Sequence, residues 1–461
     1  MKVKALSRSK ASVERECVGD LRKHARNLDP VYHPMQRPRE MARAVTSAKM
    51  ERMFANPLVG NFGNGHQDAV YHTAVSRKSL LPLLSGCADG TVNLWDLPTR
   101  TCVSTLNAHT QAVKGLVFGI DQDFYSCSQD GTVRRFSIPE VLSGNGSGGT
   151  ESNLNGGFVN TWRVDGSFQS IDHTWNSERQ FVTASDSAVQ LWTPERSTPI
   201  QSHNDLWGSA DTVNVVRFHP SEPQLIANCS MDRGIGLHDL RTASAMKKTI
   251  LKMRSNDLQW NPMEPLNFVV GNEDYNAYTF DMRNLSQPTH IYKGHTSSVM
   301  SVSWAPTGRE FVTGSYDRTV RLFNLRNRNG HARDIYHTKR MQRVFTVNYT
   351  MDNTYIITGS DDTNVRLWKA RSHEKLGQLT PREETAMNYR QSLIEKYKHL
   401  PNVRKIHRSR KVPKTITKQT KQAIIMKESA ERKQGNRIKH SKPGTYSFES
   451  DKKKVVEKDV D

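Results

Sequence analysis

From about residue 60 to residue 380 the chain is written in short runs of alternating apolar and polar residues. The stretch GTVNLW at 90–95 shows the period of two that a strand needs when one face is buried and the other is not. Similar runs recur, each ending on a bulky ring: SGCADGTVNLWDL at Trp95, SCSQDGTVRRFSI at Phe136, TASDSAVQLWTP at Trp192 and NCSMDRGIGLHDLR at His238. VGNEDYNAYTFDMR, TGSYDRTVRLFNLR and TGSDDTNVRLWKAR follow at Phe280, Phe323 and Trp368. The anchors lie 41, 56, 46, 42, 43 and 45 residues apart. A repeat of about 40–45 residues is the length of a four-stranded sheet used many times over in a ring.

An acidic residue falls six positions before every anchor: Asp89, Asp130, Asp186, Asp232, Asp274, Asp317 and Asp362. It sits in the turn between two strands. Three units also open on a histidine 21 to 23 residues ahead of that aspartate, namely His66, His109 and His295. The one long spacing has a visible cause. The segment LSGNGSGGTESNLNGGF at 142–158 is rich in Gly, Ser and Asn and predicts a flexible surface loop between the second and third units.

This pattern resembles the GH…D…WD signature of WD repeats, and the resemblance covers residues 60–380. It implies an all-β chain, a seven-bladed β-propeller. It also implies that each aspartate accepts bonds from a histidine and a backbone N–H, with a Ser or Thr (Thr313 and Thr358 fit) linking histidine to tryptophan. The seven aspartates are then structural, since a buried carboxylate is tolerable only when paired. Units 3, 4 and 5 lack the histidine, so their networks are incomplete or differently satisfied. Closing the ring needs an outer strand for the last blade, from Asn56–Phe62 or from LGQLT at 376–380.

Charge separates the ends from the middle. The net charge of +20 comes from residues 1–50, with 12 Lys+Arg against 5 Asp+Glu, and residues 371–461, with 24 against 11. The rest carries 30 of each sign. This predicts an electrically balanced body at 55–380 with a basic extension at 1–54 and a basic arm at 381–461. Such arms seek polyanions. Pro38 suits a first helical turn, and helix formers follow to about Phe54, predicting a helix near 38–54 that lies on the propeller. Thr380-Pro381-Arg382-Glu383 is a capping box, and Leu393, Tyr397 and Leu400 form an apolar stripe behind it. Lys405, Arg408, Arg410, Lys411 and Lys414 are the densest basic cluster, and Lys418, Lys421, Arg437 and Lys439 continue it. These nine are the candidate contacts to RNA or ribonucleoprotein, although a nuclear import address would also explain such clusters. The mixed-charge end 451–461 reads as disordered.

Other chemistry finds little footing. The five cysteines form no CxxC pair and read as small buried residues of a reducing compartment. No P-loop, GxSxG elbow or metal-ligand spacing occurs, so the sequence predicts no enzyme, no cofactor and no metal site. No apolar run is long enough to span a bilayer, the start MKVKALSRSK lacks an apolar core for a signal peptide, and no membrane partner is expected.

Both ends carry a closer resemblance. The run RNLDPVYHPMQRPREMARAVTSAKMERMFANP, and the tail HLPNVRKIHRSRKVPKTITK followed by ERKQGNRIKHSKPGT, look like the Sof family of nucleolar WD-repeat proteins. Phenylalanine or histidine replaces several anchor tryptophans and the 142–158 loop is long. The resemblance implies a non-catalytic scaffold of the small-subunit processome in the nucleus and nucleolus, acting in pre-rRNA processing. It implies a small nucleolar ribonucleoprotein, pre-ribosomal RNA and other processome proteins as partners. A second feature points elsewhere: His238-Asp239-Leu240-Arg241 and Phe280-Asp281-Met282-Arg283 put Asp-x-Arg after two consecutive anchors. This resembles the double WDxR motif of substrate receptors for cullin-type ring ubiquitin ligases, the role of vertebrate relatives, and makes Asp239, Arg241, Asp281 and Arg283 candidates for binding a ligase adaptor. In unrelated propellers the same pair only caps a strand.

Overall fold

A computed structural model describes residues 27, 29–63, 65–120, 122–143, 158–176, 179–186, 188–203, 212–242, 245–326, 330–442, 444–446 and 450–460. Most of the loop at 142–158 and the first 26 residues, Cys17 among them, lie outside these. The chain divides into two compact units, Met1–Pro57 with Arg371–Lys411, and Leu58–Ala370 with Val412–Asp461.

The larger unit is a propeller of seven antiparallel sheets. Blades 1 to 7 span 70–107, 113–163, 168–203, 213–251, 255–292, 299–336 and 344–369. The fourth strand of blade 7 is Leu58–Phe62, which pairs antiparallel with Val365–Lys369 and sets Phe62 opposite Val365. The N-terminal segment thus closes the ring, and residues 376–380 do not. The blades dock by a repeated close approach. A Cβ on Gly86 would lie 2.7 Å from Val113 Cγ1 of the next blade, and one on Gly359 would lie 2.8 Å from Val70 Cγ1. Blade 7 therefore receives the valine of blade 1 as blade 1 receives that of blade 2. The expected exposed face is not seen in the inner strands: Thr91–Asp96 buries Asn93 as well as Val92 and Leu94, and Asp123–Ser128 is buried at every position, because each blade is packed between two others. Trp95, Trp192, Trp368, Phe268 and Phe280 are almost wholly buried.

Blade 4 differs from the other six. A fifth strand, Val456–Val460, adds to its outer edge against Ala245–Leu251. The end of the chain, expected to be disordered from its charge, is ordered for two reasons. Val455 and Val456 pack on the core of blades 4 and 5, and the edge strand supplies unpaired backbone groups. Thr249 Oγ1 donates to Asp459 at 3.0 Å and Arg233 pairs with Glu457 at 3.0 Å. Of the cysteines, Cys87, Cys127 and Cys229 are buried as expected, but Cys102 is exposed on an outer strand.

Two of the described helices belong to this unit. Helix α2, Ile138–Ser143, follows the third strand of blade 2, and α5, Lys414–His440, has 27 residues and a length of about 40 Å. Asp451 holds α5 to blade 5 by bonding Lys427 at 3.2 Å and Lys293 at 2.7 Å.

The smaller unit is built from both ends of the chain. Its helices are α1 (Gln36–Met53), α3 (Pro381–Tyr397) and α4 (Pro401–Arg408). Thr380 caps α3 by accepting the Glu383 N–H at 3.3 Å, with Pro381 in the first turn. Leu393, Ile394, Tyr397 and Val403 bury against Ala44 and Ala48. The apolar stripe of α3 therefore finds α1, and within this unit α1 packs on α3 and α4. Glu40 is buried in this core, where Lys396 Nζ lies at 2.9 Å and Tyr397 Oη donates at 2.8 Å. No described helix is long and apolar enough to cross a membrane.

Candidate functional site

The turn aspartates come first, because they fix everything around them. In blade 6, Asp317 accepts the Thr319 N–H at 2.9 Å and the Thr319 hydroxyl at 2.6 Å through one oxygen. His295 Nδ1, at 2.9 Å, and the Thr296 N–H, at 3.2 Å, bind the other. Blade 2 repeats this arrangement with Asp130, Thr132, His109 and Thr110. Burial pushes Asp317 up, but His295, Arg321 and Thr319 outweigh it and hold the carboxyl well below its usual range. The aspartate shapes the turn for the next residue, which takes a left-handed conformation: Gly90 at φ 89° and Gly131 at 73°, but also Tyr275 at 72° and Thr363 at 67°.

Among the described residues the relay from histidine to tryptophan is complete only in blade 1, where Ser85 Oγ lies 2.5 Å from His66 Nε2 and accepts Trp95 Nε1 at 2.7 Å. Thr313 reaches His295 but faces a phenylalanine anchor, and Thr358 receives Trp368 Nε1 at 2.9 Å with no histidine behind it. The blades without the histidine satisfy their aspartates otherwise. Lys248 bonds Asp232, Tyr278 bonds Asp274 and Arg366 bonds Asp362. Asp186 is not equivalent to the rest. Trp192 bonds Thr183, nine residues back rather than the ten of Trp95 and Ser85, so the turn of blade 3 is one residue shorter. Its carboxylate takes the N–H and hydroxyl of Ser167 instead. Sequence spacing missed these partners, although Tyr278 and Arg366 both stand four residues after their aspartates, where the third strand brings a side chain back over the turn. All seven aspartates are held in turns, and none faces a second carboxylate or a nucleophile poised for catalysis among the described residues.

The third strand of each blade runs from this turn to the opposite face, and there the two Asp-x-Arg pairs stand. Arg241 Nε and Nη2 reach Asp239 at 3.0 and 2.8 Å, and Arg283 Nε and Nη2 reach Asp281 at 3.1 and 2.8 Å. Each aspartate also accepts its arginine's own N–H at 3.0 Å. Both arginine side chains are about two-thirds exposed, at 69% and 67%. Lys247 Nζ donates to the Arg283 carbonyl at 3.0 Å, linking the two blades. The result is a pair of forked cations, each fixed by its own carboxylate and presented to solvent.

The basic candidates divide between the units. Lys405 and Arg408 lie on α4, with Arg410 and Lys411 just after it; Lys414, Lys418, Lys421, Arg437 and Lys439 lie on α5. All are exposed but Arg410, which is half-buried and donates to the His407 carbonyl at 2.6 Å. None of the other eight makes an ion pair among the described residues. Lys414, Lys418 and Lys421 recur at four and three, so they share one helical face. Of the residues of α5 only Ile416 is buried, while Ile424, Ile425 and Met426 are exposed.

Comparison with known proteins adds the family. The Sof1-like domain matches residues 370–456, and the WD domain, G-beta repeat, matches 57–96, 100–137, 286–324 and 330–369. Protein SOF1 of Saccharomyces cerevisiae is 41% identical over 94% of this chain and 89% of its own length. "DDB1- and CUL4-associated factor 13" of Danio rerio is 41% identical over all of both chains, and that of Homo sapiens is 42% identical over 99% of each. This chain belongs to the Sof1-like family of WD-repeat proteins. Each matched WD repeat of this Sof1-like chain begins on the outer strand of one blade and continues through three strands of the next. The offset explains why the first repeat's opening strand completes the last blade. The unmatched stretch covers blades 3 to 5, where the turn histidine is missing.

Proposed function

We propose that this protein is a non-catalytic scaffold of the small-subunit processome, acting in nucleolar pre-rRNA processing and small ribosomal subunit biogenesis. The observation that carries this reading is the set of eight exposed, unpaired cations on and after α4 and α5, set against an electrically balanced propeller. Cations that pair with no carboxylate among the described residues can neutralise phosphates, and releasing the counterions drives such binding without reading bases. The sequence likeness to Protein SOF1 supports the same reading. The partners are pre-ribosomal RNA, a small nucleolar ribonucleoprotein and other processome proteins.

The test is in-cell RNA crosslinking of the full chain. Removing the arm outright would also remove the core of the helical unit, so charge reversal is the better variant. Lys405→Glu, Arg408→Glu and Lys411→Glu, combined with Lys414→Glu, Lys418→Glu and Lys421→Glu, should abolish crosslinks to the small-subunit rRNA precursor. Crosslinks at wild-type yield would sink the idea.

A second reading is a substrate receptor for a cullin-type ring ubiquitin ligase, and one observation favours it. The Asp239–Arg241 and Asp281–Arg283 forks are presented identically on neighbouring blades, and several relatives carry the name "DDB1- and CUL4-associated factor 13". Arg241→Ala with Arg283→Ala should abolish adaptor pull-down and leave ribosome assembly intact. Unchanged pull-down would reject this reading.

A further inference from the structure

The channel through the propeller opens, on the face that carries the turn aspartates, into a mouth of about 470 Å³ whose chemistry no role above uses. One arc of its rim is a continuous chain of rings and cations drawn from four blades. Lys114 Nζ sits 4.5 Å over the Tyr71 ring, and Tyr71 meets Phe345 edge-to-face at 4.9 Å. Phe345 meets Tyr316 in the same way at 5.7 Å, and Arg343 lies 5.3 Å over Tyr316. The other arc carries the amides of Gln169, Asn214 and Asn256.

The distribution of charge marks this mouth as a recognition surface. Lys114 and Arg343 make no ion pair among the described residues, although Arg254 beside them pairs with Glu273 at 3.0 Å. Deeper in the channel the cations are matched, Arg77 with Asp172 at 3.1 Å and Arg217 with Asp257 at 3.6 Å. The free cations therefore gather at the rim, against a single rim carboxylate, Asp361, that neither of them reaches.

We propose that this mouth is a docking site for an extended, carboxylate-rich segment of another protein. Carboxylates answer Lys114 and Arg343. Apolar side chains answer the ring edges and Met300. The amide nitrogens of Gln169 and Asn256 already donate within the protein, which leaves amide oxygens as acceptors; peptide N–H groups can donate to them, and a phosphodiester, being an acceptor only, cannot. The rings argue the same way. They are half-buried and packed edge-to-face beneath cations, so they present no open faces on which bases would stack. The Asp-x-Arg forks lie at the other end of the third strands, so both faces of the propeller can be engaged at once.

The experiment uses the full chain and a fluorescein-labelled peptide, Glu-Glu-Leu-Glu-Glu-Phe-Glu-Glu, followed by anisotropy at about 150 mM salt to screen the basic arms. Lys114→Gln with Arg343→Gln should weaken binding at least about ten-fold, and Lys418→Gln with Lys421→Gln on α5 less than about two-fold. Arg343→Gln alone, an exposed side chain that cannot threaten the fold, should weaken it about three-fold. The site is rejected if the wild-type chain fails to bind the peptide, if the mouth variants bind it as the wild type does, or if only the α5 variant loses it. It is also rejected as a peptide site if the mouth variants lose an oligouridine RNA while holding the peptide.

Discussion

Tyr397 donates its hydroxyl proton to Glu40, 357 residues away in sequence, across 2.8 Å in the buried core of the helical unit. The same carboxylate oxygen takes Lys396 Nζ at 2.9 Å. Burial, and then Glu40 itself, push the Tyr397 phenol up to about 12, so it stays a donor throughout the physiological range.

Glu40→Ala should therefore release α1 from α3. Removing one partner of a buried ion pair leaves the other charge uncompensated, at a cost of about 3 kcal/mol. Hydrogen exchange should show faster amides throughout α1 and α3 with no change in the blades. Unaltered protection in α1 would mean the pair contributes nothing.

The stability of the propeller should fall as pH drops below 6.5. Burial holds His66 at about 4 and His72 and His238 at about 3, so the unfolded chain takes up protons first. Their contribution is fully present above about 6.5 and is lost as pH falls towards those folded values. His238→Phe copies the anchor of blades 2, 5 and 6 and should flatten the denaturant midpoint between pH 7 and pH 5. An equally steep dependence in the variant would show that His238 is not among the groups responsible.

Thr363 holds a left-handed conformation at φ 67°, in the place where blades 1 and 2 use glycine. A β-branched residue is strained there, and Thr363→Gly should stabilise the chain by about 1 kcal/mol. Thermal melting gives the sign directly, and a lower melting temperature would show that the threonine is not strained.

A chain ending at Ser450 should uncover the outer edge of blade 4. The Lys252 amide donates to the Val455 carbonyl at 3.1 Å, and the strand Ala245–Leu251 pairs with Val456–Val460. Amides there should exchange faster, as should those of α5 around Lys427, which loses Asp451. Retained protection at Lys252 would contradict the pairing.

The ring was legible because its signal is repeated and local. An anchor, a turn aspartate and alternating residues recur in each unit, and the missing outer strand of the last blade left two candidate segments, of which the N-terminal one, Leu58–Phe62, closes the ring. What escaped was non-local. Lys248 reaches Asp232 from the next strand, which no spacing announces, and Asp186 kept the expected spacing while its turn lost a residue. The strand Val456–Val460 was hidden by the charges around it, since composition weighs Lys458 and Asp459 but not the waiting edge of blade 4. The nine basic candidates and the two arginine forks were found from sequence as residue types. Their exposure and pairing are properties of the fold, and only coordinates supply them.

Closing the ring with Leu58–Phe62 has a cost in time. A ribosome adding about 5–20 residues per second delivers Val365–Lys369 some 15 to 60 s after the strand that must pair with it. Until then the nascent propeller has two unsealed edges, each able to template pairing with a neighbouring chain. Slow synthesis, or any substitution that delays blade 7, prolongs that vulnerable interval without touching the stability of the finished ring.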